Sequence, residues 1–290
     1  MKLDEIYKTK KFVITAEIFP PKGTNTDKLI QKALILKNCV DAVNVTDNQR
    51  ACMRLGPLGV SKILLDNGVE PIFQLTCRDR NRLALQSDLL TASVFGIRNV
   101  LILSGDHPKH GDHPGAKPVF DLDSTQLLKA VSELNCGRDM AGNQLDGNTD
   151  FCIGAAVNPT VEPLDLQIIP MLKKIEAGAV FFQTQVAFDI TPFEKLVEIL
   201  EKKKIRKSIK IIGGVFLLKS LKMLQFMKKI PGVVIPDEIC ERIENSPDQL
   251  SEGIKICSDL IEKMRGILDG THIIAINSEE LVPKILEKIT

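Results

Sequence analysis

The chain has no tryptophan and only one tyrosine in 290 residues, with twelve phenylalanines completing its aromatic set. Proteins that hold single-stranded nucleic acid stack its bases on aromatic platforms, and such platforms are scarce here. An excess of one charge is also missing, since 38 Lys and Arg face 37 Asp and Glu for a net charge of +1. That balance leaves no electrostatic footprint for nucleic acid or an anionic membrane. The seven cysteines, Cys39, Cys52, Cys77, Cys136, Cys152, Cys240 and Cys257, are odd in number and never form a C-x-x-C pair. They read as buried thiols in a reducing compartment rather than as a zinc or disulfide framework. No segment approaches the roughly eighteen apolar residues of a membrane span, and the first eight residues are charged where a signal peptide needs an apolar run. A cytoplasmic location is the expectation. Neither G-x-G-x-x-G nor G-x-x-x-x-G-K-[ST] occurs, so the usual helix-capping loops for nucleotide phosphates are absent.

What the chain does have is 44% apolar and 26% charged residues, enough for a sizeable core beneath a solvated surface. Short β-branched runs alternate with longer stretches whose apolar residues recur every three or four positions. The runs at 12–18, 41–46, 71–76, 98–104, 151–157, 179–185, 208–215 and 271–277 predict eight strands. Between them lie predicted helices at 26–38, 58–67, 80–95, 123–135, 164–177, 192–204, 220–229 and 247–268, with a final one at 279–289. Parallel strands need helical crossovers and read as apolar on both faces, so this alternation predicts one (β/α)8 barrel domain over residues 1–290 rather than a doubly wound open sheet.

Barrel chemistry sits at the carboxyl ends of the strands, and nearly every predicted strand here ends polar. The candidates are Glu17, Thr46, Gln74 with Thr76, Ser104 with Asp106, Asn158, Gln183 with Gln185, and Asn277. Glu17 is the sharpest of them, a carboxyl between Ala16 and Ile18 in a strand that runs into Phe19-Pro20-Pro21. Desolvation favours the neutral form of a carboxyl, which suits a general acid, although an ion pair with a barrel cation would also account for it. Ser104-Gly105-Asp106 ends the fourth strand with small residues and an acid, allowing close approach to a planar ligand, or equally an Asx turn. His107, His110 and His113 follow in a Pro- and Gly-rich loop, where prolines hold the backbone extended; a flexible site loop is expected there and no metal. His272 reads as structural, and the basic stretch 201–207 as a solvated helix end. Lys173 and Lys174 either face solvent or reach a cofactor phosphate.

Several segments, in order along nearly the whole chain, resemble the methylenetetrahydrofolate reductases: Ala16-Glu17-Ile18-Phe19-Pro20-Pro21-Lys22, Val43-Asn44-Val45-Thr46, Leu75-Thr76-Cys77, Gly96-Ile97-Arg98-Asn99-Val100 with Gly105-Asp106, and Gln185-x-x-Phe188-Asp189. The resemblance implies a barrel flavoprotein that reduces 5,10-methylenetetrahydrofolate to 5-methyltetrahydrofolate, passing hydride from flavin N5 to an iminium carbon. It implies Glu17 as the acid that protonates folate, and Asp106 as the carboxylate beside flavin and pterin. Thr46, Gln74, Ser104, Gly105, Asn158, Lys173 and Lys174 fall at cofactor positions, and Gln185 and Leu221 at substrate positions. The chain departs from many bacterial members at Gln74, Ser104 and Asn158, where they carry His, Arg and Tyr. Without that Arg a cofactor diphosphate loses a partner, partly offset by Lys173 and Lys174, and FAD is expected before FMN.

Leu221 stands where an aromatic ring contacts folate and nicotinamide in other members, so a partner protein is the expected electron donor. The likeness to catalytic subunits of anaerobes points to a small zinc-binding subunit and iron-sulfur proteins as such partners, and a single barrel without a regulatory domain is expected to be prokaryotic. Two other readings compete. One is a flavin-free, pterin-binding methyltransferase barrel; the other is a non-catalytic subunit of an electron-transfer complex, which would need neither Glu17 nor Asp106.

Overall fold

The β-branched runs form a ring. The computed structural model describes residues 1–230 and 232–289, and its strands β1 (Val13–Ile18), β2 (Ala42–Val45), β3 (Pro71–Thr76), β4 (Asn99–Leu103), β5 (Cys152–Val157), β6 (Phe181–Val186), β7 (Lys210–Phe216) and β8 (Gly270–Ile274) pair in parallel, in chain order, and close β8 onto β1. All eight lie within the predicted runs or overlap them, and the fold is the expected (β/α)8 barrel.

Side chains alternate across each strand, so one set lies outside the ring and the other inside it. The outer set, including Ala16, Ile18, Val43, Val45, Phe73, Leu75, Val100 and Ile102, joins the helices in the main core. The inner set changes character along the barrel. At the amino-terminal end it is apolar, with Val13, Ala42, Ile72, Leu101, Cys152, Phe181 and Ile212 in one cluster. A Cβ at Gly154 would lie 2.1 Å from the Phe181 ring, so a glycine there leaves the ring its space. One step toward the carboxyl end the inner residues become polar. Thr15 Oγ1 lies 2.9 Å from His272 Nδ1, and Asn44 Nδ2 donates to Gln183 Oε1 at 2.7 Å. The barrel is thus greased at one end and polar at the other.

The helices are α1 (Leu3–Thr9), α2 (Asp27–Lys37), α3 (Pro57–Asp66), α4 (Arg82–Val94), α5 (Ser124–Asn135), α6 (Asp165–Glu176), α7 (Thr191–Lys202), α8 (Leu221–Met227), α9 (Asp237–Asn245), α10 (Gln249–Met264) and α11 (Val282–Leu286). Two of them, α1 and α9, fall outside the predicted set, and the predicted final helix is a short turn at Glu279–Leu281 running into α11. Helix α1 closes the apolar end: Leu3 and Ile6 pack into the inner cluster, and the Leu3 amide donates to the Asn99 side chain at 2.8 Å. Capping is visible at α4, where Asn81 accepts from the amides of Leu83 and Ala84, and at α5, where Asp123 and Gln126 form a reciprocal box. Among the described residues no helix is long and apolar enough to cross a membrane. All seven cysteines are free; Cys77, Cys152, Cys240 and Cys257 are buried, whereas Cys136 is exposed, so the expectation of buried thiols holds for only part of the set. Burial pushes the thiols of Cys77, Cys152 and Cys257 up to about 12, which keeps them protonated and unreactive.

Candidate active site

At the polar end the carboxyl termini of the strands surround a cavity of about 530 Å³. Glu17, Gln74, Ser104, Gly105, Asp106, Asn158 and Gln185 all line it, so most of the residues singled out in the sequence converge there. Apolar side chains of Leu101, Leu103, Val157 and Ile274 share the wall with them. A cavity lined by amides along apolar surface suits a flat heterocycle with donors and acceptors on its edge.

Glu17 is 6% exposed on β1, and two groups from distant parts of the chain meet its carboxyl. Gln49 Nε2 donates to Oε1 at 3.4 Å, and His272 Nε2 lies 3.7 Å from Oε2. The ring of His272 is oriented from its other nitrogen. Thr15 Oγ1 contacts Nδ1 at 2.9 Å and the Thr271 carbonyl at 3.3 Å, which holds the ring with Nε2 turned to the carboxyl. Nε2 is buried and has no other partner. His272, read from the sequence as structural, is therefore part of the Glu17 environment. Its place became visible only when β8 closed against β1.

The loop after β2 is tightly constrained. Asn48, Arg50 and Ala51 have φ of 44°, 56° and 55°, a left-handed backbone that non-glycine residues rarely adopt. Such conformations cost about 1–3 kcal/mol each and persist where surrounding contacts over-determine them. Here Asn48 Oδ1 accepts from the Arg54 amide at 2.9 Å, the Arg54 guanidinium donates to the Pro20 carbonyl at 3.0 Å, and the Arg50 guanidinium sits 5.0 Å from the centre of the Phe226 ring. Gly111 packs so closely that a Cβ there would lie 1.9 Å from the Ala51 carbonyl oxygen. Gln49 and Arg50 line both the mouth and a lateral cleft of about 840 Å³, whose walls include Phe19, Pro21, Lys28, Met223 and Phe226.

Arg78, 1% exposed, organises the adjoining rim and escaped the sequence reading. It forms a two-pronged pair with Asp79 at 2.8 and 2.7 Å and donates to the carbonyls of Asn48 and Asp106. Burial alone would raise the Asp79 carboxyl, but this guanidinium overcomes it and holds the acid below its ordinary value. Gly105 crosses Arg78 with φ of 86°, and a Cβ there would lie 3.0 Å from the Thr76 side chain, so backbone is packed where a larger residue could not fit. Asp47 is buried and accepts from Thr76 and from Arg80, fixing the ends of β2 and β3.

The remaining sequence candidates are more scattered. Thr46 is buried beside the mouth and its Oγ1 has no partner among the described residues. Asn158 uses its side chain on Thr160 and the Gly232 carbonyl. Lys174 Nζ donates to the Ala156 carbonyl at 2.8 Å, and burial pushes its ammonium below the usual lysine value; Lys173 is exposed. Leu221 packs against the cluster around Phe188 and Phe216, whereas Met223 and Phe226 of the same helix line the lateral cleft. In the histidine loop, His107 Nδ1 accepts from the Lys109 amide, and His113 Nδ1 lies 2.8 Å from Asp112. Asp112 also pairs with Lys22 and accepts from the Met53 amide, which ties this loop to the loops after β1 and β2. Among the described residues no group of three or more His, Cys, Asp or Glu is arranged to hold a metal ion.

A family model described as methylenetetrahydrofolate reductase matches residues 2–290. The chain belongs to the methylenetetrahydrofolate reductase family. Among similar proteins, "Methylenetetrahydrofolate reductase 2" of Schizosaccharomyces pombe is 29% identical over 233 residues, 73% of this chain but 34% of the yeast protein. The Caenorhabditis elegans "Probable methylenetetrahydrofolate reductase (NADPH)" is 23% identical and aligns with 99% of this chain and 44% of its own length. The chain thus spans less than half of these two reductases. By contrast, it covers 92% of the "5,10-methylenetetrahydrofolate reductase" of Buchnera aphidicola, at 26% identity over 96% of this chain. Among solved structures, the EDTA monooxygenase EmoA from Chelativorans sp. BNC1 superposes with a TM-score of 0.57 over 96% of this chain and 94% of its own, at 9% identity, and shares the barrel. The resemblance carried by the Glu17, Thr46, Leu75-Thr76-Cys77, Gly105-Asp106 and Gln185 segments is thereby borne out at the level of the reductase family.

Proposed function

We propose that this chain reduces 5,10-methylenetetrahydrofolate to 5-methyltetrahydrofolate, with a flavin held in the mouth of the barrel. The observation that carries the reading is Glu17, a carboxyl buried at the mouth between the Gln49 amide and the His272 imidazole, in a chain of the methylenetetrahydrofolate reductase family. The fit of a flavin is supported by the unpartnered Thr46 Oγ1 and by the Gln74 amide on the cavity wall. Thr46, Gln74, Ser104, Gly105 and Asn158 would border the ring system, and Lys173 and Lys174 would meet its phosphates, with FAD favoured over FMN. When bound, the flavin supplies the hydride.

The protein's own groups handle the proton and the charge. Glu17 donates a proton to a bridging amine of the folate, which opens the five-membered ring and leaves a cationic iminium carbon to be reduced. His272 Nε2, 3.7 Å from Oε2, borders the same carboxyl. Asp106, exposed at the mouth, favours the cation by its negative charge. Gln185 offers its amide donors to a pterin edge while its Oε1 accepts from the Val186 amide, and Leu221 opens α8, whose Met223 and Phe226 would border the folate tail. Electrons are proposed to arrive from a protein partner docked at the mouth, of the kind that carries iron-sulfur clusters or a small zinc-binding subunit.

The test is direct. The purified protein is expected to be yellow, to release a flavin identifiable by mass, and, once chemically reduced, to be reoxidised in a single turnover by 5,10-methylenetetrahydrofolate. A protein that takes up neither FAD nor FMN, or a reduced protein that the folate fails to reoxidise, overturns the proposal.

A further inference from the structure

Gln49 belongs to no segment that carries the family resemblance, yet it reaches the one carboxyl on which the proposed chemistry turns. We propose that Gln49 is a positioning residue for Glu17: its amide holds Oε1, so that the transferable proton resides on Oε2, and it steadies the carboxylate left after that proton has gone. The inference rests on the proposed acid role of Glu17.

Three observations support it. Gln49 Nε2 is 3.4 Å from Glu17 Oε1, while His272 Nε2 lies 3.7 Å from Oε2, so the two oxygens have different partners. A carboxyl whose one oxygen receives an N–H carries its own hydrogen on the other. Second, Gln49 is flanked by the left-handed Asn48 and Arg50, and the loop is held by Asn48 to Arg54, Arg50 over Phe226, and Ala51 against Gly111. Unfavourable backbone conformations are retained where the side chain they aim has a task. Third, Gln49 lines both the mouth and the lateral cleft, so a substrate spanning the two would pass its amide.

The charged and titratable groups that line the cavity with this carboxyl are His272 from β8, Asp47 and Arg50 from the loop after β2, Arg78 from the loop after β3, and Asp106 from the loop after β4. Gln49 differs from all of them in being neutral. It can stabilise the carboxylate without itself titrating, and its loss therefore leaves the other charges in place.

The experiment compares wild type, Gln49→Met, Gln49→Glu and Glu17→Gln as full chains loaded with flavin. Infrared pH titration follows the carboxyl C=O band that is missing in Glu17→Gln. Single-turnover mixing of prereduced protein with 5,10-methylenetetrahydrofolate is run across the same pH range. Methionine keeps the length of glutamine and removes the donor. Hydrogen bonds to charged groups support an expected rise of about one pH unit in the band's midpoint, and a limiting folate rate about tenfold lower, with the alkaline limb displaced to higher pH. Gln49→Glu, which sets a second carboxylate against the first, is expected to move the midpoint further up. Melting temperature and flavin spectrum should match wild type in both. A midpoint that stays at the wild-type value in Gln49→Met and Gln49→Glu overturns the positioning role, whatever the rates do. If instead the midpoint rises but wild type itself fails to turn over the folate, the coupling of Gln49 to Glu17 stands and the functional reading falls.

Discussion

Glu17 acquires its chemistry from its neighbours. A glutamate on an exposed helix is a solvated anion, whereas on β1 it is enclosed by the barrel and meets the Gln49 amide and the His272 ring. General acids contribute about 10²–10⁴-fold in rate, and an isosteric amide keeps the shape but has no proton to give. Glu17→Gln is accordingly expected to bind flavin and to be reduced normally, while its folate half-reaction slows by about that factor; a single-turnover rate within a few-fold of wild type would remove Glu17 from the mechanism. Glu17 and Asp106 could be read from the sequence because each is a carboxylate at the end of an apolar run, a local anomaly that asks for an explanation. His272, Gln49 and Arg78 carried no such mark. Their partners lie on other strands and loops, and the contacts exist only once the ring has closed β8 onto β1 and drawn the loops after β2, β3 and β4 over one mouth.

Elements were legible in proportion to their length and periodicity. The eight strands could be read because β-branched runs stand out between helical stretches, and barrel closure then follows from parallel strands that are apolar outside. Helices α1 and α9 fall outside the strand–helix alternation from which the others were read: α1 precedes β1, and α9 is inserted between α8 and α10. Helix α1 nevertheless fills a structural role, since the apolar end of the barrel would otherwise open to water. Leu3 is fully buried against the inner cluster, and Leu→Ala at such a site costs about 2–5 kcal/mol. Leu3→Ala is expected to lower stability by about 2–4 kcal/mol in urea unfolding, toward the lower part of that range if the short helix settles into the gap. The polar mouth lies at the other end of the barrel, so the folate half-reaction should persist in the folded fraction. A loss below about 1 kcal/mol would mean that α1 is not a plug but a loosely attached arm.

At the scale of the whole molecule the open question is how electrons reach the mouth, and the structure sharpens the case made by the sequence. A nicotinamide donor needs a flat surface beside the proposed flavin, and Leu221, which the family resemblance sets at an aromatic position, is packed against the cluster around Phe188 and Phe216 instead of lining the cleft. The ring that α8 does contribute to the cleft is Phe226, and the Arg50 guanidinium already covers one of its faces at 5.0 Å. An aromatic contact contributes about 0.5–1.5 kcal/mol beyond its buried area, so its loss alone weakens nicotinamide binding by about tenfold at most. Displacing Arg50 would add the loss of a cation–π contact, and with it the support of the loop that aims Gln49 at Glu17. On the proposed roles of Gln49 and Glu17, nicotinamide entry would therefore oppose carboxyl positioning. The flavin of the isolated protein is expected to be reduced slowly by NADH and NADPH, whereas reduced viologen, a small donor that needs no stacking site, should support folate reduction readily. Stopped-flow reduction at several nucleotide concentrations decides between them: rapid, saturable reduction by either nucleotide would show that Arg50 yields the face of Phe226 at little cost and that the mouth needs no protein donor.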